Sequence, residues 1–189
     1  MEAERTRTRW TYAEFARLPS EGSTRHEIID DELYVTPSPS LRHQRVVTDL
    51  VSLLNEFVRS HDLGHLFVSP LDVLLAEGDH VEPDLLFVRR DRAGILTDRG
   101  VEGAPDLVVE VLSPSTAGRD RGIKLERYRL FGVAEYWIVD PESRTVELWR
   151  LSEGAEEAVV LKAPEHFRWE PAPGGPALEI RLEELFPAA

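Results

Sequence analysis

The stretch Ala104-Pro-Asp-Leu-Val-Val-Glu110-Val-Leu-Ser-Pro-Ser-Thr116, continued by Arg119 to Phe131 and by Tyr136-Trp-Ile-Val139, decides the fold of this chain. Asp106 to Leu112 is short, apolar and rich in Val, and Pro105 and Pro114 bound it, so it reads as a strand. The polar segment that follows reads as a helix that Gly132 ends. Glu135 to Val139 is a second, continuous apolar strand of the fully buried kind. Strand, helix and strand then form a right-handed parallel crossover. One side chain is out of place in this pattern. Burying the Glu110 carboxylate without a partner is costly, so a cation is expected beside it.

Alternation along the strand puts Asp106, Val108, Glu110 and Leu112 on one face. Asp106 and Glu110 lie roughly 13 Å apart along an extended chain. The ligands of one Mg²⁺ sit at about 2.1 Å, so these two acids cannot share an ion. A neighbouring strand is only about 4.8 Å away. Pro83-Asp-Leu-Leu-Phe-Val88 is such a strand, and antiparallel pairing brings Asp84 beside Glu110. Asp84 also fits a plain strand-entry turn. On the following helix Asp120, Lys124 and Tyr128 recur at i, i+4 and i+8 and share a face. If that face leans toward the Glu110 strand, Lys124 reaches the same pocket; otherwise Asp120 and Lys124 are a surface ion pair.

The rest of the chain supplies a frame. Thr11 and Glu14 form a capping-box pattern, Trp10 and Phe15 a hydrophobic staple, and Pro19 stops the helix they begin. His26 to Asp30 and Glu32 to Val35 read as strands turning at Asp30-Asp31. Ser40 caps a helix over residues 41–60, whose apolar positions from Val46 to Val58 recur at helical spacing, with His43 and Gln44 in its first turn. His65 to Leu75 reads as a strand interrupted by Pro70, Glu77 to His80 as a turn, and residues 89–103 as a charged loop. Arg144 to Leu151 makes a hairpin with the strand before it. Glu156 to Leu161 and Ala177 to Ile180 are weaker strands, and Leu182 to Phe186 is a helical turn. This order predicts an α/β (α+β) fold, a mixed β-sheet flanked by helices.

At 189 residues the expectation is one domain over 1–189, with an N-terminal helix and hairpin at 10–36 and a C-terminal β extension at 142–187. No run of about 18 apolar residues exists, so no membrane span is expected. The N-terminus lacks the apolar core of a secretory signal. Cysteine is absent, which excludes disulfides, thiolate metal sites and a Cys nucleophile, and fits a cytoplasmic protein. The net charge of −13 weighs against general affinity for nucleic acid. Arg119 to Arg129 nevertheless holds five cations against Asp120 and Glu126, enough for a local basic face.

Pro83-Asp84 with Glu110-Val-Leu112 resembles the PD-(D/E)XK nuclease superfamily. More closely, Ala104 to Thr116, Asp120 with Lys124, Glu135-Tyr-Trp-Ile-Val-Asp-Pro141, His26-Glu27-Ile-Ile-Asp-Asp-Glu-Leu33 and His43-Gln44 resemble the Uma-two family of predicted bacterial restriction endonucleases. The likeness spans about residues 10–187. It implies a restriction-endonuclease-like core and metal-dependent hydrolysis of DNA. Mg²⁺ or Mn²⁺ would rest on Asp84, Glu110 and the carbonyl of Val111. The superfamily's lysine, two residues after the Glu, is Leu112 here, and Lys124 is the substitute. Glu27 and His43 either complete the pocket or stand as a hairpin and a first-turn residue. Cutting both strands of a duplex needs two sites, which makes a homodimer the expected assembly. A catalytically inactive nucleic-acid- or protein-binding module of the same fold is the alternative, favoured by Leu112 and by the acidic net charge. A metal-dependent hydrolase of a smaller phosphoester is the third reading.

Overall fold

The computed structural model describes residues 25–186 together with Trp10, Thr11, Glu14 and Arg17. At the N-terminus the Glu14 amide donates to Thr11 Oγ1, and the Thr11 amide donates back to Glu14 Oε2 at 2.9 Å. That is the reciprocal capping box; Phe15 and Pro19 lie outside the described residues. β1 (Arg25–Ile29) and β2 (Glu32–Thr36) form a hairpin whose turn residues Asp30 and Asp31 both have positive φ. A two-residue turn of this kind matches strand twist, and Asp tolerates it. The 20-residue helix α1 (Leu41–Ser60) starts at Ser40, whose side chain accepts the His43 amide at 3.2 Å.

The chain then runs through β3 (Gly64–Val68), β4 (Val73–Ala76), β5 (Asp79–Val81), β6 (Leu85–Arg89), β7 (Leu96–Thr97), β8 (Gly100–Glu102) and β9 (Leu107–Val111). Helix α2 covers 117–131 in three segments: a turn at Ala117–Arg119, a wide π segment at Asp120–Lys124, and regular helix at Leu125–Phe131. Its kink lies at Gly122, and Gly132 ends it at φ 83°. There follow β10 (Glu135–Asp140), β11 (Thr145–Arg150), β12 (Val159–Lys162), β13 (His166–Trp169), β14 (Leu178–Arg181) and the short α3 (Leu182–Leu185).

The central sheet has the order β12-β11-β10-β9-β6-β3. Within it β9 and β10 are parallel and β6 and β9 antiparallel, so the crossover through α2 is present. A second sheet has the order β2-β1-β5-β4-β8-β7, and β13 pairs with β14. The central sheet is buried on both faces. Phe87, Val109, Val111, Trp137 and Val139 point to the side of α1, β13, β14 and α3. Leu86, Val108, Leu112, Tyr136 and Ile138 point to the side of α2 and the second sheet. Alternation places Asp84 and Glu110 on this latter side. No helix among the described residues is long and apolar enough to cross a membrane.

Four elements differ from the reading of the sequence. The segment from His65 to Leu75 is not one strand: Pro70 separates β3 in the central sheet from β4 in the second. Asp79 and His80 belong to a strand, not a turn, because β1 and β4 pair with β5 on either side. Residues 89–103 contain a short 3₁₀ helix at Arg90–Ile95 and the β7–β8 hairpin. β13, for which no strand was expected, buries Phe167 and Trp169 against the core.

Candidate active site

The register of β6 on β9 sets Leu85 opposite Val109, which puts Asp84 level with Glu110 at the strand ends. Asp84 is locked there. Its Oδ1 accepts from Arg25 at 2.8 Å, and its Oδ2 accepts from the Val111 amide at 2.8 Å and pairs with His43 Nε2 at 3.1 Å. Burial alone would raise the Asp84 pKa, but His43, Arg25 and the Val111 amide reverse this and hold it below the usual range. An ionised Asp84 can only accept, so the proton sits on Nε2 of His43. Nδ1 of that ring, in a residue 4 % exposed, has no hydrogen-bond partner.

Lys124 fills the middle of the acidic cluster. Its Nζ lies 2.7 Å from Glu110 Oε1, 2.7 Å from Glu27 Oε1 and 3.8 Å from Asp120 Oδ1. The wide π turn of α2 is what lets Asp120 and Lys124 both face inward. Burial opposes the ammonium charge, yet Glu110, Glu27 and Asp120 outweigh it and raise the Lys124 pKa. Glu27 is held down by Lys124 and Arg119 despite its burial. Burial, reinforced by Asp120, Asp84 and Glu27, pushes Glu110 up to about 8 against the pull of Lys124. Asp120 is raised as well, chiefly by burial. At neutral pH Glu110 is thereby held largely protonated, which limits the negative charge that Lys124 faces.

A cavity of about 170 Å³ opens here, walled by Asp84, Glu110, Val111, Lys124, His43 and Arg119 among others. Glu27 stands behind Lys124 and off the cavity wall. Asp106, at the far end of β9, bonds Arg92 and the Arg89 amide and takes no part. Leu112 is buried in the core. The cation beside Glu110 therefore comes from α2. Two residues not singled out in the sequence enter the site: Arg25 on Asp84, and Arg119, 3.3 Å from Glu27. For Arg25 the one available signal was parity, since it shares a face of β1 with Glu27.

Among the described residues no group of three or more His, Asp or Glu side chains is spaced to hold a metal. The donors that face the cavity are nevertheless oxygens, suited to a hard divalent cation. A carboxylate offers about four lone-pair sites. Tyr128 and Lys124 both bond Glu110 Oε1, leaving Oε2, and Asp84 Oδ1 accepts from Arg25 alone. Asp120 Oδ1 is buried without a hydrogen bond. The free acceptor positions on Asp84 Oδ1 and Glu110 Oε2 are of the kind a hard divalent ion would use.

The basic face expected on α2 is largely consumed inside the protein. Arg121 pairs with Glu147, Arg127 with Asp79, and Arg129 bonds the Ala155 carbonyl and covers the Trp149 ring.

A family model described as "Uma2: Putative restriction endonuclease" matches residues 12–183. An uncharacterized protein of Synechocystis sp. is 27% identical over 139 residues, which cover 72% of this chain and 78% of that protein. A crystal structure from Anabaena variabilis, described as a putative nuclease belonging to DUF820, shares the fold with a TM-score of 0.76 at 24% identity, over 94% of this chain and 97% of that one.

Proposed function

The chain belongs to the Uma2 family of nuclease-like proteins, and on that premise we propose that its pocket hydrolyses DNA phosphodiester bonds with Mg²⁺ or Mn²⁺. One observation carries this reading: Asp84 and Glu110 meet across an antiparallel strand pair, with Lys124 2.7 Å from Glu110. The ion would sit on Asp84, Glu110 and the Val111 carbonyl, and it supplies Lewis-acid neutralisation of the phosphate. Lys124 is charged and cannot take a proton. Its role is to stabilise the negative charge that builds on the phosphate oxygens. The attacking water gives up its proton to solvent, and His43, whose Nε2–H bonds Asp84 Oδ2 at 3.1 Å, holds that carboxylate in place. The water oxygen bonds phosphorus as an ester P–O bond breaks, and the leaving oxygen is protonated from solvent. Arg25 positions Asp84, and Glu27 positions Lys124.

The second reading is a non-catalytic module of the same fold. The tie between Lys124, Glu27 and Glu110 favours it, because it is already complete without substrate. Nicking of supercoiled plasmid by the purified protein separates the two. Wild type is expected to nick with Mn²⁺ or Mg²⁺ and to stop in EDTA, with Asp84→Ala and Glu110→Ala inactive. Mn²⁺ should also raise the melting temperature of wild type and not of the double variant, since an ion bound only to the folded state stabilises it. A wild type that neither nicks nor gains stability favours the module.

A further inference from the structure

The cavity at Asp84 and Glu110 continues beyond its own walls. Ser40, His43, Ser113 and Pro114 also line a neighbouring cavity of about 560 Å³. That cavity in turn shares Arg42, Pro141 and Glu142 with a third of about 400 Å³, which Arg45 and Arg144 complete. The three form one trough that leaves the carboxylates and crosses the N-terminal end of α1. Its charge runs against that of the molecule. In a chain of net charge −13, the first turn of α1 has no acidic residue. Arg42 and Arg45 are exposed and pair with no acid among the described residues. Arg144 donates to the Phe186 carbonyl at 2.6 Å, which fixes its guanidinium on the far wall. Opposing them are Glu142 and Asp140, and Asp140 is occupied by two backbone amides and by Arg121 at 3.6 Å. The buried His43, with its unpartnered Nδ1, stands where the first two cavities meet. Leu41, 92 % exposed, lines the same third cavity as Arg42, Arg45 and Arg144.

We propose that this trough, and not the basic face of α2, holds the sugar-phosphate backbone of duplex DNA beside the bond to be cut. Arg42, Arg45 and Arg144 contact successive phosphates, and the positive end of the α1 dipole faces the same strand. Leu41 lies against the sugars. The proposal rests on the nuclease reading for the position of the scissile phosphate, but it makes its own binding prediction. An isolated patch of arginines on an acidic surface confines the DNA to one path, because every other approach is repelled.

Fluorescence anisotropy with a labelled duplex of about 30 base pairs, in EDTA and from about 50 to about 200 mM NaCl, tests it. The triple variant Arg42→Ala, Arg45→Ala, Arg144→Ala should bind at least about tenfold more weakly and lose about 2–3 from the slope of log K against log salt, at close to 0.9 per phosphate contact. A control of equal charge change, Arg59→Ala with Arg168→Ala and Arg181→Ala, should keep most of the affinity and the full slope. The trough is wrong if the control loses as much as the triple variant, if the triple variant keeps its slope, or if wild type does not bind. It is equally wrong if polyglutamate displaces the duplex as well as unlabelled duplex does, since the surface would then take any acidic polymer. Plasmid nicking with Mn²⁺ keeps the two ideas apart. Salt-dependent binding without nicking leaves the trough and removes hydrolysis; nicking with unchanged binding in the triple variant does the reverse.

Discussion

Lys124 is 2 % exposed and carries the charge balance of the cluster. Removing it leaves Glu27, Glu110 and Asp120 facing one another without their shared cation. Breaking a buried ionic set on one side costs about 3–5 kcal/mol, so Lys124→Ala should unfold at markedly lower denaturant than wild type. The same variant should lose about 10²-fold or more in single-turnover cleavage, the scale of removing a preorganised electrostatic donor. Lys124→Arg separates the two effects. It keeps the charge, and so most of the stability, but a planar guanidinium cannot occupy the point between Glu27 and Glu110, and cleavage should recover only in part. Native-rate cleavage by a folded Lys124→Ala protein would remove the lysine from the mechanism. This residue was legible in the sequence because its spacing from Asp120 and Tyr128 is local. Arg25 and Arg119 were not. Their partners Asp84 and Glu27 lie far off in the chain, and the hairpin packing that joins them leaves no spacing to read.

At the scale of elements, legibility followed the strength of the local signal. Helix α1 begins and ends where the sequence predicts, because Ser40, the apolar stripe and the turn after Ser60 agree. The strand pair of the crossover was equally plain, since only fully buried strands are apolar throughout. β5 was missed because Asp79 and His80 are polar yet buried, and Asp79 is satisfied by Arg127 from α2, a contact between distant segments. α2 itself reads as one helix in sequence, and its π segment has no signature beyond Gly122. The end of α2 depends on a single residue. Gly132 has φ 83°, and a Cβ there would meet nothing within 4 Å. Gly132→Ala therefore tests backbone conformation alone and should cost about 1 kcal/mol in equilibrium unfolding. A loss of several kcal/mol would mean that α2 shifts and carries Lys124 with it.

For the whole molecule, the balance of buried acids fixes how stability depends on pH. Burial, with help from Asp72 and Glu27, pushes Glu82 up to about 7, against 4.5 for a free glutamate. Burial raises Glu135 as well, even though Trp137 donates to it. A carboxyl whose folded pKa is raised stabilises the fold fully below the unfolded value and loses that contribution as pH rises through the folded value. Glu82 and Glu135 therefore weaken the fold across the range from about 4.5 to above 7. The general self-repulsion of a chain at −13 acts in the same direction. Glu27 and Asp84, whose pKa values are lowered, act oppositely and give up stability as pH falls below the usual carboxylate range. The two limbs oppose each other, so the metal-free protein should be most stable in the mildly acidic range between them. Melting in EDTA should then fall from pH 5 to pH 8, by on the order of a few degrees. Glu82→Gln with Glu135→Gln should make that limb shallower, because the amides cannot ionise, while Glu110, pushed up to about 8, keeps part of it; the acid limb should stay in place. A melting temperature that holds or rises between pH 5 and 8 would show that these carboxyls are ionised in the fold at little cost.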